Sequence, residues 1–170
     1  AAEKKVAYVK CSGDCDKAKT NYVYTGIEDC KIAAQMQGGG PKACSYGCLG
    51  YGSCKKACPY NAITIVNGLP VVDESKCVGC GSCVVTCPKQ LMALRPVRRR
   101  TVALACSSPE KGKPVMDACS AGCIGCTLCT KECPFGAIAM NGNLPVIDYE
   151  KCKGCGKCAM KCPKKVIKLI

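Results

Sequence analysis

Apolar and polar positions alternate along this chain in short bursts, none long enough to build a large core. The clearest burst is Ala62-Ile63-Thr64-Ile65-Val66, followed by Asn67-Gly68 and then Leu69-Pro70-Val71-Val72-Asp73. β-branched residues on both sides of Asn-Gly predict a two-stranded hairpin, because that dipeptide accepts the positive φ of a tight turn. Ala137 to Met140 and Leu144 to Asp148 predict a second hairpin of the same kind. Shorter strands are expected at Val6-Ala7-Tyr8-Val9, Leu91-Met92-Ala93-Leu94, Val102-Ala103-Leu104-Ala105 and Val166-Ile167-Lys168-Leu169. Ile27 to Gln37 reads as a helix carrying Cys30 and stopped by Gly38-Gly39-Gly40. The glycine run is a stop and a turn, since it lacks the strand-turn-helix setting of a nucleotide loop.

Cysteine changes this picture most, at 21 of 170 residues. Cys123, Cys126, Cys129 and Cys133-Pro134 follow C-x2-C-x2-C-x3-C-P. The same spacing recurs at Cys77, Cys80, Cys83, Cys87-Pro88 and at Cys152, Cys155, Cys158, Cys162-Pro163. An altered copy is Cys44, Cys48, Cys54, Cys58-Pro59. This is the spacing of bacterial iron–sulfur ferredoxins. Three thiolates on a tight loop reach three irons of a [4Fe–4S] cluster, and the fourth, expected to open a short helix, ligates a different cluster. A lone C-x2-C would fit a zinc ribbon or a redox dithiol equally well. A disulfide scaffold matches the cysteine density but not four such groups each ending in C-P.

The motifs repeat at a fixed offset of 75 residues, which also maps Leu69-Pro70-Val71 onto Leu144-Pro145-Val146 and Asp73 onto Asp148. The expected fold is α+β: two tandem two-cluster ferredoxin units plus a small Cys-containing N-terminal segment. The boundaries are 1–40 for that segment, 41–97 for unit one, 98–117 for a linker and 118–170 for unit two. With one Phe and no Trp, apolar side chains are too few, so metal binding must supply much of the folding free energy.

The formal charge of +13 would suggest nucleic acid. Four clusters at roughly −2 each lower it to about +5, and no nucleic-acid motif is present. No apolar run approaches the roughly 20 residues of a membrane span. Without an initiator Met or a signal peptide, the chain is expected to be a piece of a longer one. Thiolate clusters need a reducing compartment, pointing to the cytoplasm of an anaerobe. Arg98-Arg99-Arg100 reads either as a solvated linker or as a docking patch for an acidic partner.

The crossed-over rule assigns ligands. Cys123, Cys126 and Cys129 join Cys162; Cys152, Cys155 and Cys158 join Cys133; Cys77, Cys80 and Cys83 join Cys58. At the altered site Tyr51 stands where Cys126 predicts a ligand, so Cys44 is expected to complete a cubane with Cys48, Cys54 and Cys87, the alternative being a [3Fe–4S] cluster. Cys11, Cys15 and Cys30 form a candidate fifth site, with Cys44 or an inter-unit Cys as its fourth ligand; inert buried thiols are the plainer reading. Cys106 and Cys119 are left over, Cys30 and Cys106 being near-equivalent by their distance from Cys44 and Cys119.

Three linking stretches narrow the class: VAYVKCSGDC, GGGPKACSYGCLGYGSCKKACP and CSSPEKGKPVMDACSAGCIGC. On them, residues 6–170 resemble the cytoplasmic part of the B subunit of Rnf complexes, which are membrane-bound, ion-translocating ferredoxin:NAD oxidoreductases of anaerobic bacteria. The resemblance implies a subunit that takes electrons from reduced ferredoxin and feeds the other subunits of a membrane complex. It also implies a peripheral position on the cytoplasmic side of the plasma membrane, with a membrane helix and a further cluster domain lying outside this chain. The residues alone reach the same class less specifically. With no His, no triad and no flavin or NAD fingerprint, the chain has no substrate site of its own. The alternatives are a soluble polyferredoxin, the cluster arm of a hydrogenase or oxoacid oxidoreductase, and, remotely, a structural zinc protein.

Overall fold

The computed structural model describes residues 2–170. The first half runs β1 (Lys5–Val9), α1 (Cys30–Ala33), α2 (Ser53–Ala57), β2 (Ile63–Val66), β3 (Leu69–Val72), α3 (Ser82–Thr86) and β4 (Met92–Pro96). The second runs β5 (Val102–Leu104), α4 (Lys113–Ala118), α5 (Leu128–Glu132), β6 (Ile138–Asn141), β7 (Leu144–Ile147), α6 (Lys157–Lys161) and β8 (Ile167–Leu169). The result is a small mixed α and β structure in which all four sheets are two-stranded and antiparallel.

Both predicted hairpins form. Ile63 faces Val72 across β2 and β3, and Ile138 faces Ile147 across β6 and β7. Asn67 and Gly68 turn the first at φ of 49° and 78°, the doubly positive pair that Asn-Gly permits. The other two sheets join distant segments. β1 pairs with β4, setting Val9 opposite Met92, and β5 pairs with β8, setting Leu104 opposite Ile167.

The helix expected over Ile27 to Gln37 is cut to α1 and a 3-10 turn at Gln37–Gly39. Asp29 caps α1, its carboxylate accepting from the Lys31 and Ile32 amides at 2.9 and 3.3 Å. Ile27 is 67% exposed and Ile32 37%, so no apolar stripe exists to hold a longer helix against the body.

The four cysteine helices share one construction. α2, α3, α5 and α6 each follow a left-handed residue, Gly52, Gly81, Thr127 and Gly156. Each ends on extended backbone at Cys58, Cys87, Cys133 or Cys162. The fourth cysteine of each motif therefore closes its helix, where the sequence reading had it open one. Proline after it cannot donate to the preceding turn, so the chain leaves there.

The cores are half thiol. Ala7, Ile63 and Met92 pack with Cys54 and Cys83 in the first half. Val102, Ile138, Val166 and Ile167 pack with Cys123, Cys129 and Cys158 in the second. The halves are tied across their meeting line. The Ser107 hydroxyl donates to the Lys10 carbonyl at 2.8 Å. The Lys19 amide donates to the Ala118 carbonyl, and the Ser120 amide to the Lys17 carbonyl, both at 2.9 Å.

Candidate metal centres

Twenty of the 21 cysteines fall into five sets of four, and all are free thiols. Among the described residues no three Cys, Asp or Glu side chains close on one point as a single ion requires. The thiols of four sets ring a cavity instead, which is what the four corners of a cubane need.

Two of these rings hold the thiols that the crossed-over rule groups together. Cys58, Cys77, Cys80 and Cys83 line one cavity, and Cys123, Cys126, Cys129 and Cys162 line another. For the set Cys133, Cys152, Cys155 and Cys158, burial raises the Cys158 pKa, and the other three thiols add to the rise.

The remaining two depart from it. Cys48, Cys54 and Cys87 gather with Cys30, not with Cys44. The N-cap at Asp29 starts α1 on Cys30, whose amide donates to the Ser53 hydroxyl of α2 at 3.0 Å. That bond fixes the Cys30 turn against the cavity wall. Tyr51 stands clear, its ring 5.3 Å from that of Tyr24. Cys44 lines a fifth cavity with Cys11, Cys106 and Cys119. A Cβ added at Gly13 would lie 3.3 Å from the Cys119 sulfur and 3.6 Å from that of Cys11, so two thiols converge beside that glycine. Cys15 belongs to no ring. It is exposed beside the first hairpin, where a Cβ on Gly68 would come within 2.8 Å of its sulfur.

The fifth ring is internally symmetric. Met92 and Ile167 are equivalent at the 75-residue offset, so their partners Val9 and Leu104 are equivalent too. Counting two residues on, Cys11 corresponds to Cys106, while Cys44 corresponds to Cys119. Each half thus gives one thiol after its first strand and one before its first cysteine loop. Cys30 is not the counterpart of Cys106. It lies in an insertion of 20 residues, since Cys11 and Cys44 are 33 apart and Cys106 and Cys119 only 13. A usable signal was present: both Cys11 and Cys106 stand two residues beyond a short apolar strand.

Amide donors reach the sulfurs throughout. The Cys11 sulfur accepts from the Gly13 and Cys48 amides at 3.4 and 3.5 Å, and the Cys106 sulfur from the Cys123 amide at 3.3 Å. The last two bonds link the fifth ring to one neighbouring ring in each half, again symmetrically. Ala7 donates to Cys77, Ala62 to Cys58, Leu91 to Cys87 and Ala137 to Cys133, each at 3.4 Å. Burial pushes the Cys48 thiol up to about 12 and those of Cys54 and Cys129 up to about 11. Without a cationic core these thiols stay protonated; iron removes that penalty by supplying the opposing charge. The donor set fits [4Fe–4S] clusters.

Arg98 is tied down. It pairs with Glu3 at 2.5 Å, holding that carboxyl below its usual range, and donates to the carbonyls of Tyr149 and Cys152 at 2.6 and 3.2 Å. The Arg100 carbonyl packs on Gly154 and its guanidinium beside Gly156. The basic run therefore lies on the loop bearing Cys152, Cys155 and Cys158.

Comparison with known proteins gives the class first. Family models described as 4Fe-4S dicluster domain match residues 40–88, 76–137 and 122–167, so most of the chain is made of 4Fe-4S ferredoxin-type domains. It is 50% identical over 99% of its length to the B subunit of the proton-translocating ferredoxin:NAD(+) oxidoreductase complex of Clostridium ljungdahlii, spanning 60% of that protein. The Na(+)-translocating counterpart of Acetobacterium woodii is 46% identical over 98% of the chain, which spans 50% of it. The B subunit of the ion-translocating oxidoreductase complex of Methanosarcina acetivorans is 43% identical over 99%, with 63% of it spanned. Over nearly all of its length the chain is thus a homologue of the Rnf-type B subunit, as the linking stretches indicated, and it spans between half and two thirds of those relatives.

Proposed function

We propose that this chain is the iron–sulfur relay of a B subunit in an ion-translocating ferredoxin:NAD(+) oxidoreductase. It accepts electrons from reduced ferredoxin and delivers them to the other subunits of a membrane complex, from a peripheral position on the cytoplasmic side. The observation that carries the reading is the gathering of twenty thiols into five four-cysteine sets, four of them ringing a cavity, in a homologue of that subunit. Among the described residues no helix is long and apolar enough to cross a membrane.

Residues 41–97 and 118–170 form two tandem two-cluster units, each completed by a strand from outside it, β1 or β5. The segment 1–40 supplies Cys11 and Cys30, and the linker 98–117 supplies Cys106. Five [4Fe–4S] clusters follow, with Cys30 making a cubane, not a three-iron site, of the ring that lacks a thiol at Tyr51. When bound, such clusters supply one-electron transfer with little change in geometry. The protein's part is to exclude water, to hold the thiolates, and to aim amide dipoles at the sulfurs, which raises potentials. Three of the rings are joined by the Cys48 and Cys123 amides through the one shared between the halves.

The test is anaerobic mixing of the loaded chain with reduced ferredoxin. Visible absorbance should bleach and return with a mild oxidant, and added NAD(+) should remain oxidised. Failure to bleach, or NAD(+) reduction by the chain alone, would overturn the proposal.

A further inference from the structure

The two halves share their frame but not their surface charge. Residues 151–170 contain seven lysines and no acidic residue, while the equivalent 76–95 contain only Lys76, Lys89 and Arg95. Of those three, Arg95 is buried and paired with Glu74, Lys76 pairs with Asp73, and Lys89 donates to the Ser45 carbonyl. In the second half Lys151 pairs with Asp148, but Lys153, Lys157, Lys161, Lys165 and Lys168 have no ion-pair partner among the described residues, and all five are exposed. Lys153 stands where the first half has Val78, and Lys157 where it has Ser82. Lys157 and Lys161 lie four apart on α6 and so share a face.

Several of these cations lie on the loop and helix that bear one ring. Lys151 and Lys153 flank Cys152, and Lys157 precedes Cys158. The Arg98–Arg100 run crosses the same loop through the Cys152 carbonyl and the backbone of Gly154. A patch whose only purpose was solubility would not need to be concentrated at one redox ring and absent from its twin. We infer that the ring of Cys133, Cys152, Cys155 and Cys158 is the docking end for an acidic one-electron protein, recognised by Lys153, Lys157, Lys161 and the exposed Arg99. This rests on the relay reading above and adds to it which end meets the soluble partner. One electron leaves the partner's centre and one arrives at the docking ring, with no proton or group transferred. The matching ring of the first half carries fewer free cations: Val78 is 57% exposed and Val85 88% exposed there, and Lys5 alone crosses its loop, at Gly79, while Lys4 donates to the Glu74 carbonyl. Attraction between opposite patches raises association rates by about 10- to 1000-fold and is screened by salt.

The experiment uses the loaded chain and a reduced acidic ferredoxin in stopped flow. K153E/K157E/K161E is compared with K31E/K55E/K56E, which makes the same charge change on exposed lysines of the first half. The inference predicts a second-order rate about tenfold or more lower for the first variant at roughly 0.01 M salt, where the Debye length is about 30 Å. The gap should shrink near 0.15 M, and the control should stay within about twofold of the parent. Iron content and total electron uptake from excess titanium(III) citrate should match the parent in both, separating lost docking from lost clusters. Equal slowing in both variants, or none in the first, overturns the docking end while leaving the relay reading standing. A K153E/K157E/K161E chain that reacts normally with ferredoxin but no longer binds anionic phosphatidylserine vesicles would assign the patch to a membrane surface and overturn it too. If no variant, parent included, takes electrons from ferredoxin, the relay reading itself fails.

Discussion

Cys30 and Cys15 lie 15 residues apart in one insertion, and the chain gives them opposite fates. Cys30 is buried, with its amide locked to Ser53, and lines a ring; Cys15 is exposed and lines none. Replacing Cys30 by Ser should convert the ring of Cys48, Cys54 and Cys87 to a three-thiol site, lowering iron by one to four atoms per chain and adding or removing one EPR signal. Cys15→Ser should leave both unchanged, and iron loss in it would contradict the assignment. Titration follows from the same burial. Burial holds the Cys48, Cys54 and Cys129 thiols of the metal-free chain at about 11 to 12, so the neutral form that suits their burial persists below about 9 and is lost only as pH climbs through those values. Between about pH 6 and 8 each thiol sheds its proton on binding iron, so cluster affinity should rise with pH by up to about tenfold per unit for each such ligand. Reconstitution yield against pH checks the sign, and a yield that fell from pH 6 to 8 would contradict it.

At the scale of elements, the hairpins were legible because Asn67-Gly68 and the alternation around it are local chemistry. The long-range strand pairings were not. Nothing in Val6 to Val9 or Val102 to Leu104 states which strand lies opposite, because the partners β4 and β8 lie far along the chain, beyond the cysteine loops. The sixteen motif cysteines stood out through their spacing, and all sixteen fall within the five sets of four. Cys44 was misplaced for a different reason: adjacency in sequence favoured it, but the insertion carries Cys30 to the gap left by Tyr51. The equivalence of Cys11 with Cys106 was hidden because that insertion changes the repeat offset. β4 also carries a stability prediction. Leu91, which precedes it, is 1% exposed, and its amide donates to the Cys87 sulfur. Leu91→Ala keeps the amide but empties the site, at a cost of about 2–5 kcal/mol. The loaded variant should lose its visible absorbance at lower guanidinium concentration than the parent, and an unchanged midpoint would show that Leu91 is not part of the core.

For the whole molecule, the ring of Cys11, Cys44, Cys106 and Cys119 lies where the halves meet. Each half contributes equivalent thiols, so neither completes that ring alone, and a cluster held there would crosslink segments far apart in sequence. Replacing Cys106 and Cys119 together by Ser should remove about four irons while the hairpin-bearing halves keep theirs. Limited proteolysis should then cut the 98–117 segment faster than in the parent; equal cleavage rates would contradict a crosslinking role. The central claim is that twenty cysteines hold five cubanes. The most direct measurement is iron and acid-labile sulfide per chain after anaerobic purification. The account predicts about twenty of each. A value near sixteen would remove the shared ring, and a value near eight, or stoichiometric zinc, would contradict the account as a whole.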